Sequence, residues 1–457
     1  MNWQGKRVLV IGAGRSGQAA VHKLKKLGAE VFLADRQELD RLPGVEKLGL
    51  DERHLCLGRM PEWNEVEPEL VVLSPGVSPQ QALVQTALAA KVPVWSEVEL
   101  AMRDSAALCV GITGTNGKTT TTTLVGELAK RTGRPTAVVG NIGVAMSGQV
   151  ENLGENGIVV AELSSFQLEF IDRLRVQIGI LLNVTPDHLD RHGTLENYLE
   201  VKARIFENQE PHDLAIFNWD DPQVRSLGER MPGRVIYFSP TTFLPDGISV
   251  WQDKIVYAER GQITEILPRR ELQLRGNHNL ENVMAAAAAA KELGLSWMEI
   301  ADGLREFPGV EHRQEKVGVF DGILFINDSK GTNPDASEKA LLAFDEPLVL
   351  IAGGKNKGLD FHDFMRLVAQ KVKSLVLVGQ AAEEMDKAAR DVGVKRIVRT
   401  TSFQDAVEKA IAEAAPGDVV LLSPACTSWD MFKSYEERGE LFKELVRRHY
   451  REPIFQS

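Results

Sequence analysis

The stretch of this chain best suited to chemistry is Gly114-Thr115-Asn116-Gly117-Lys118-Thr119-Thr120. Glycines let backbone N–H groups turn inward around phosphate oxygens, a lysine offsets the charge of the β- and γ-phosphates, and a hydroxyl directly after it can hold Mg²⁺. The spacing departs from the usual G-x-x-x-x-G-K-[ST] form, because Ile112 stands five residues before Gly117 and the earlier glycine is Gly111. The flanks favour the phosphate reading all the same. Leu108-Cys109-Val110-Gly111-Ile112 reads as a strand entering the loop, and a helical pattern follows to Lys130. The loop therefore sits at a helix N-terminus, whose partial positive charge favours an anion. An ordinary turn with a surface lysine is the plainer alternative.

Other groups could serve the same site. Ile158-Val159-Val160-Ala161 is an apolar strand ending in Glu162, followed by Leu163-Ser164-Ser165. A hard cation on a phosphate wants such a carboxylate beside it, although taken alone Glu162 would be a water-exposed strand end. Asn183-Val184-Thr185 runs into Pro186-Asp187-His188-Leu189-Asp190-Arg191-His192, a dense ionisable set at the C-terminal end of a strand, where ligands of parallel sheets collect. His188 could ligate a metal there or be structural. Thr194 suits the N-cap of a helix that puts Tyr198, Lys202 and Ile205 on one face. By its chemistry alone Lys202 is a solvated lysine.

A second glycine cluster, Gly12-Ala13-Gly14-Arg15-Ser16-Gly17, follows a strand, opens a helix and has Asp35 at the end of the next strand. This is the dinucleotide fingerprint with its acidic ribose partner. Its physical content is narrower than NAD: a diphosphate at a helix N-terminus and a ribose hydroxyl on a carboxylate. A uridine diphosphate group satisfies it equally.

The elements that must position these groups point to an α/β chain of three domains, as 457 residues exceed what one core supports. Residues 1–96 alternate strands (Arg7–Ile11, Val31–Ala34, Leu70–Leu73) with helical patterns, which indicates a parallel, Rossmann-like sheet. Residues 97–308 carry strands at 108–112, 136–139, 158–161, 178–184 and 214–218. An antiparallel meander over 247–267 and helices at 277–293 and 296–307 complete this unit. Residues 309–457 form a further Rossmann-like unit with a tight hairpin at Asp321-Gly322 and strands at 348–352, 374–378 and 419–422.

Composition excludes several classes. A net charge of −11 argues against nucleic acid as partner, since that needs clustered Lys and Arg. Cys56, Cys109 and Cys426 are odd in number and widely spaced, so neither a disulfide framework nor a zinc site is indicated. Val8-Leu9-Val10-Ile11 is too short for a signal-peptide core and no stretch could span a bilayer, so a cytoplasmic protein without membrane insertion is expected.

Six motifs occur in one order: Gly114 to Thr120, Asn141-Ile142-Gly143, Glu162 to Ser165, Asp187 to Asp190, His278-Asn279-x-x-Asn282, and His312-Arg313. In this the chain resembles the Mur ligase family over nearly its whole length. Ser74-Pro75-Gly76, Asp328-Ser329-Lys330-Gly331-Thr332-Asn333 and Ser423 to Ser428 are similar to the members that add D-glutamate. The resemblance implies ATP-dependent ligation of D-glutamate to UDP-N-acetylmuramoyl-L-alanine through an acyl phosphate, by a monomer. It implies ATP on Gly114 to Thr120 with Asn282, His312, Arg313 and Asp328. One Mg²⁺ would lie on Thr119 and Glu162, a second on His188 and a carbamylated Lys202, with Lys118 and Lys330 catalytic. The UDP group would meet Gly14, Arg15, Ser16, Asp35 and Arg36. The muramoyl part would lie near Ser74, Gly76, Asn141 and Ser164, and D-glutamate near Lys330, Thr332, Lys357, Ser428 and Tyr435. Closure of the third domain would complete the site.

Three rivals make different demands. A sister ligase adding another amino acid or extending a folate would differ in its third-domain motifs, and the one that adds a diamino acid would carry an Asp-Asn-Pro-Arg-like motif, absent here. A nicotinamide-dependent dehydrogenase would use the first glycine cluster and bind NAD(H), and a regulatory nucleotide-binding module would release no ADP with any amino acid.

Overall fold

Runs of four to six consecutive apolar residues bounded by glycine or polar turns form the strands, and most are buried on both faces, as helix-covered parallel sheets require. The computed structural model describes residues 2–451. One compact unit runs to Glu271 and resumes over Glu281–Arg305; the other comprises Leu272–Leu280 and the residues from Glu306 onward.

The first unit holds two sheets. Strands β1 (Arg7–Ile11), β2 (Glu30–Asp35), β3 (Leu55–Leu57), β4 (Leu70–Leu73) and β5 (Val94–Ser96) pair in parallel in the order 3-2-1-4-5. That order reverses at β1, and the crevice beyond the strand ends there is where such sheets bind ligands. The second sheet contains β6 (Leu108–Thr113), β7 (Thr136–Gly140), β8 (Ile158–Glu162), β9 (Ile178–Leu181), β10 (Leu214–Asn218), β11 (Arg234–Ser239), β12 (Gly247–Trp251), β13 (Lys254–Glu259) and β14 (Gln262–Pro268), ordered 14-13-12-11-10-9-6-8-7. Its antiparallel strands, expected from the alternating pattern, extend the parallel sheet through the pairing of β11 with β12.

In the second unit β15 (Glu315–Phe320), β16 (Ile323–Asn327), β17 (Leu348–Gly353), β18 (Val372–Val378), β19 (Ile397–Arg399) and β20 (Val419–Leu422) are ordered 15-16-20-17-18-19. Only the β15–β16 pair is antiparallel among the described strands of this sheet. Its turn, Asp321 at φ 49° and Gly322 at φ 78°, has the two left-handed residues of a type I′ hairpin.

Within the first unit the helix Glu97–Met102 joins the two sheets by carboxylates that cap backbone. Glu99 accepts from the N–H groups of Asp172, Arg173 and Leu174 and pairs with Arg103 at 2.7 Å. Glu97 accepts from Ser147 N at 2.6 Å, and Lys23 Nζ donates to Ala101 O at 2.8 Å. Buried ionic groups stay tolerable when every lone pair finds a donor in this way.

β9 stops at Leu181, short of the Val184 that the apolar run suggested. The reason lies in the neighbouring loop. Asn183 O accepts from Thr115 N, Asn183 Oδ1 from Asn116 N, and Thr185 N donates to Thr115 Oγ1, at 2.9, 2.9 and 3.0 Å. Those backbone groups leave the ladder to hold the glycine loop.

Candidate active site

β6 delivers the chain to Gly114, and Gly117 (φ 86°) caps the helix Lys118–Lys130 in a left-handed conformation that suits glycine. A Cβ at Gly117 would stand 2.2 Å from Asn282 Oδ1, so a side chain there would displace Asn282 as well as strain the left-handed backbone. Lys118 Nζ folds over the loop and donates to Gly114 O and Thr115 O, both at 2.9 Å. Asn282 Oδ1 also accepts from Thr121 Oγ1 at 3.1 Å. Thr119 and Thr120 are buried behind the loop.

Glu162 and Lys202 depart from the exposed roles their chemistry alone suggests. Glu162 is 2% exposed because β8 is an inner strand of its sheet. Its Oε1 accepts from Asn141 Nδ2 at 2.9 Å, while Oε2 is buried without a hydrogen-bond donor among the described residues. Lys202 is 1% exposed on the helix Leu195–Ala203, capped as expected by Thr194. Its Nζ donates to Gly114 O at 2.9 Å and lies 4.5 Å from the centre of the Tyr198 ring. Burial pulls the Lys202 amine well below the ordinary lysine range and the Lys118 charge pulls the same way, against Asp187 and Glu162. His188 is exposed at φ 52°, with its ring 4.9 Å from that of Phe166. A buried carboxylate oxygen lacking a donor, a nearby imidazole and an amine driven towards neutrality fit a hard cation next to phosphate.

The first sheet offers a cavity of about 870 Å³ at its reversal point, lined by Gly14, Arg15, Asp35, Arg36, Ser74 and Gly76 among others. Asp35 is engaged with backbone rather than held open: Oδ2 accepts from Ala13 N at 2.7 Å and Oδ1 from Gln37 N at 2.9 Å. Ser74 Oγ likewise donates to Gly12 O at 2.9 Å. Both therefore shape the loop between β1 and the helix Arg15–Lys26, in which Ser16 is half-buried. Asn141 lies with Glu162, and Ser164 caps the helix Ser165–Leu168.

The second unit gathers its own set. Asp328, just beyond β16, is buried and accepts from Ser423 Oγ at 2.7 Å and Gln314 N at 3.1 Å. Lys330 N donates to His312 O at 3.0 Å, Thr332 N to Lys330 O at 2.9 Å, and Lys330 Nζ lies 5.4 Å from the Tyr435 ring centre. His312 is buried at φ 61° and receives Asn327 Nδ2 at Nδ1; Arg313 lies close enough to stabilise the Asp328 carboxylate. Ser428 is buried next to the Lys355–Thr427 bridge, and Lys357 is exposed, 6.0 Å from the Trp429 ring centre. Glu311, His312 and Glu440 converge as a metal site would, but Lys443 Nζ is 2.6 Å from Glu311 and 2.7 Å from Glu440. An ammonium already sits against both carboxylates of that cluster.

Arg438 is a residue of this candidate site that sequence reasoning missed. Fully buried, it donates Nε to Ser329 Oγ at 2.9 Å, Nη2 to Ser329 O at 2.8 Å, and both Nη groups to Cys426 O. It thus ties the Asp328-Ser329-Lys330 loop to the Ser423–Ser428 loop. Burial brings it down to about 10, still charged at neutral pH.

Asp328 gives a pH-dependent expectation. Burial raises its carboxyl from 3.8 to about 6, outweighing Ser423 and Arg313. Between roughly pH 4 and 6 the folded protein keeps a proton that the unfolded chain releases, so this group's contribution falls as pH rises through that window. Asp328→Asn removes the titration. Its melting temperature relative to the parent should climb across the window and level off above it, by scanning calorimetry. His278, brought down to about 4 by burial, titrates with the opposite sign in both proteins and cancels in the difference. A difference flat with pH would contradict the expectation.

Comparison with known proteins agrees with this geometry. The MurD-like N-terminal domain model of the Mur ligases matches residues 6–96, the Mur ligase middle domain 112–290, and the Mur ligase glutamate ligase domain 312–426. The chain belongs to the Mur ligase family. A UDP-N-acetylmuramoylalanine–D-glutamate ligase of Desulfitobacterium hafniense is 68% identical over 454 residues, covering 99% of this chain and 100% of that protein. The enzyme of the same name from Pelotomaculum thermopropionicum is 50% identical over 442 residues, covering 96% and 97%. Among solved structures, the UDP-N-acetylmuramate-alanine ligase MurC of Thermotoga maritima superposes with a TM-score of 0.61 at 21% identity, over 97% of this chain and 99% of that one. A pseudomurein peptide ligase type C from Methanothermus fervidus gives 0.60 at 18%, over 97% and 100%. At such identities the structures attest the Mur ligase fold alone. Within that fold, the glycine loop, Glu162 and Lys202 of this Mur ligase lie at the C-terminal ends of the parallel strands or on helices beside them.

Proposed function

We propose that this Mur ligase joins the amine of D-glutamate to the carboxylate of UDP-N-acetylmuramoyl-L-alanine at the cost of ATP. The observation that carries the proposal is the buried Glu162, its Oε2 without a donor among the described residues, beside a glycine loop closed by Lys118 and Lys202. The names of the D. hafniense and P. thermopropionicum relatives support the choice of substrates.

A carboxylate is a poor electrophile, so activation comes first. The substrate carboxylate attacks the γ-phosphorus of ATP, the bond to ADP breaks, and an acyl phosphate results. The neutral amine of D-glutamate then attacks the acyl carbon. The tetrahedral intermediate expels inorganic phosphate and the nitrogen loses a proton, leaving the amide. Lys118 and the loop N–H groups hold phosphate oxygens as negative charge crowds there. Thr119 and Glu162 would hold one Mg²⁺, His188 and a carbamylated Lys202 a second. Such ions supply charge neutralisation and in-line orientation at the transferring phosphoryl group. Carbamylation needs a neutral amine, and burial favours that form at Lys202.

The cavity around Gly14, Arg15, Asp35, Arg36, Ser74 and Gly76 would take the UDP group, with Ser16 at the helix start and Asn141 and Ser164 towards the muramoyl end. In the second unit His312, Arg313 and Asp328 would meet the nucleotide with Asn282, while Lys330, Thr332, Lys357, Ser428 and Tyr435 would receive D-glutamate. The domain division proposed is 1–96 for the UDP-substrate, 97–308 for ATP and 309–457 for the amino acid, in a cytoplasmic monomer. Phosphate release from ATP with the UDP-substrate should depend on D-glutamate and not on L-glutamate. Equal rates with both enantiomers, or none with either, would refute the assignment.

A further inference from the structure

Glu162 and His188, the groups assigned to the cations, sit on different segments: Glu162 ends β8, whereas His188 follows β9 and starts the short helix Leu189–His192. Something must hold their spacing. Ser165 Oγ, at the start of the helix after Glu162, lies 3.0 Å from Nε2 of His192, at the end of the helix after His188. Glu169 Oε1 stands 3.4 Å from His192 Nδ1. A carboxylate on Nδ1 makes that nitrogen the protonated one, so Nε2 accepts and the Ser165 hydroxyl donates.

The surroundings make this clip rigid. Ser165 and His192 are both buried, where a satisfied polar pair is strong and costly to break. Arg191 also pairs with Glu169 and lies 4.2 Å from the Phe166 ring centre. The Tyr198 ring is 5.1 Å from that of His192 and 6.4 Å from that of His188, and the Lys202 amine lies over it. Serine, histidine and carboxylate in this order also describe an acyl-transfer nucleophile, but Ser165 is 3% exposed, with no path for a substrate to its hydroxyl.

We propose that His192 is a positioning residue that, through Ser165 and Glu169, fixes the separation of the Glu162 and His188 segments and so the geometry of the cation site. This rests on the ligand roles proposed above for Glu162 and His188. Groups that orient metal ligands typically account for about 10–100-fold in metal affinity.

The test uses the full chain and Mn²⁺ as probe, titrated with a non-hydrolysable ATP analogue present and read by electron paramagnetic resonance of the free ion. Ser165→Ala should weaken Mn²⁺ binding by about tenfold or more while still melting cooperatively, somewhat below the parent because His192 Nε2 loses its buried donor, and Ser165→Thr should restore most of both losses. His192→Gln, whose amide can accept from Ser165 but cannot also bridge to Glu169, should fall between and serves if Ser165→Ala does not fold. Unchanged Mn²⁺ affinity in the folded variants, with affinity lost in His188→Gln, would overturn the clip and leave the ligand assignment standing. A parent protein that binds no Mn²⁺ would overturn both.

Discussion

Lys118→Ala is expected to lower the rate of phosphate release by about 10²–10³ or more, the scale set by losing one fixed group that meets developing charge. Its melting temperature should stay close to the parent's. The ammonium now rests on two carbonyls of its own loop, Gly114 O and Thr115 O, so it is held where the phosphates would lie before any ligand arrives. It also acts on the neighbouring lysine, since its charge is the second cause, after burial, of the low basicity of Lys202. Removing it should therefore weaken phosphate stabilisation and let Lys202 hold a proton more readily. Both effects fall on the chemical step, so kcat should drop while the KM for ATP changes little, as measured by steady-state phosphate release over a range of ATP. A defect seen only in KM would assign Lys118 to ground-state binding instead.

Much of the architecture was legible because buried parallel strands advertise themselves as apolar runs. β1, β4, β10 and β20 begin and end where those runs do. Short or half-exposed strands gave no such signal. β3 and β5 are three residues each, β19 is Ile397–Arg399, and β11 opens on an exposed arginine. The glycine loop was readable from its strand and helix flanks despite its spacing. Glu162 and Lys202 were not readable as buried groups from their own chemistry. Their burial comes from the inner position of β8 and from a helix face shared with Tyr198, both tertiary facts, and the motif resemblance had to stand in for them. Arg438 shows the opposite failure. In Glu436-Glu437-Arg438-Gly439-Glu440 it looks like one more charge on a solvated helix, and only the fold reveals that it faces Ser329 and Cys426.

Lys202→Met should separate stability from function in opposite directions. In bicarbonate-free buffer the parent buries an amine whose basicity has been depressed, so the unfolded chain binds this proton more readily than the folded protein does. Stability then rises with pH towards the unfolded value of 10.5, and the penalty deepens as pH falls below it. Methionine is similar in length, carries no proton to lose and packs its thioether well against an aromatic ring such as Tyr198. The variant should melt a few degrees higher than the parent at pH 7, with an advantage that narrows at pH 9 by calorimetry. Its ligase activity should fall by about 10²–10³ or more, because the position can then supply neither an amine nor a carbamate. Such a trade is common where a strained group is kept for its chemistry. If Lys202→Met melts lower than the parent at both pH values, Lys202 supports the fold. If Lys202→Met retains activity, Lys202 has no place in the cation site.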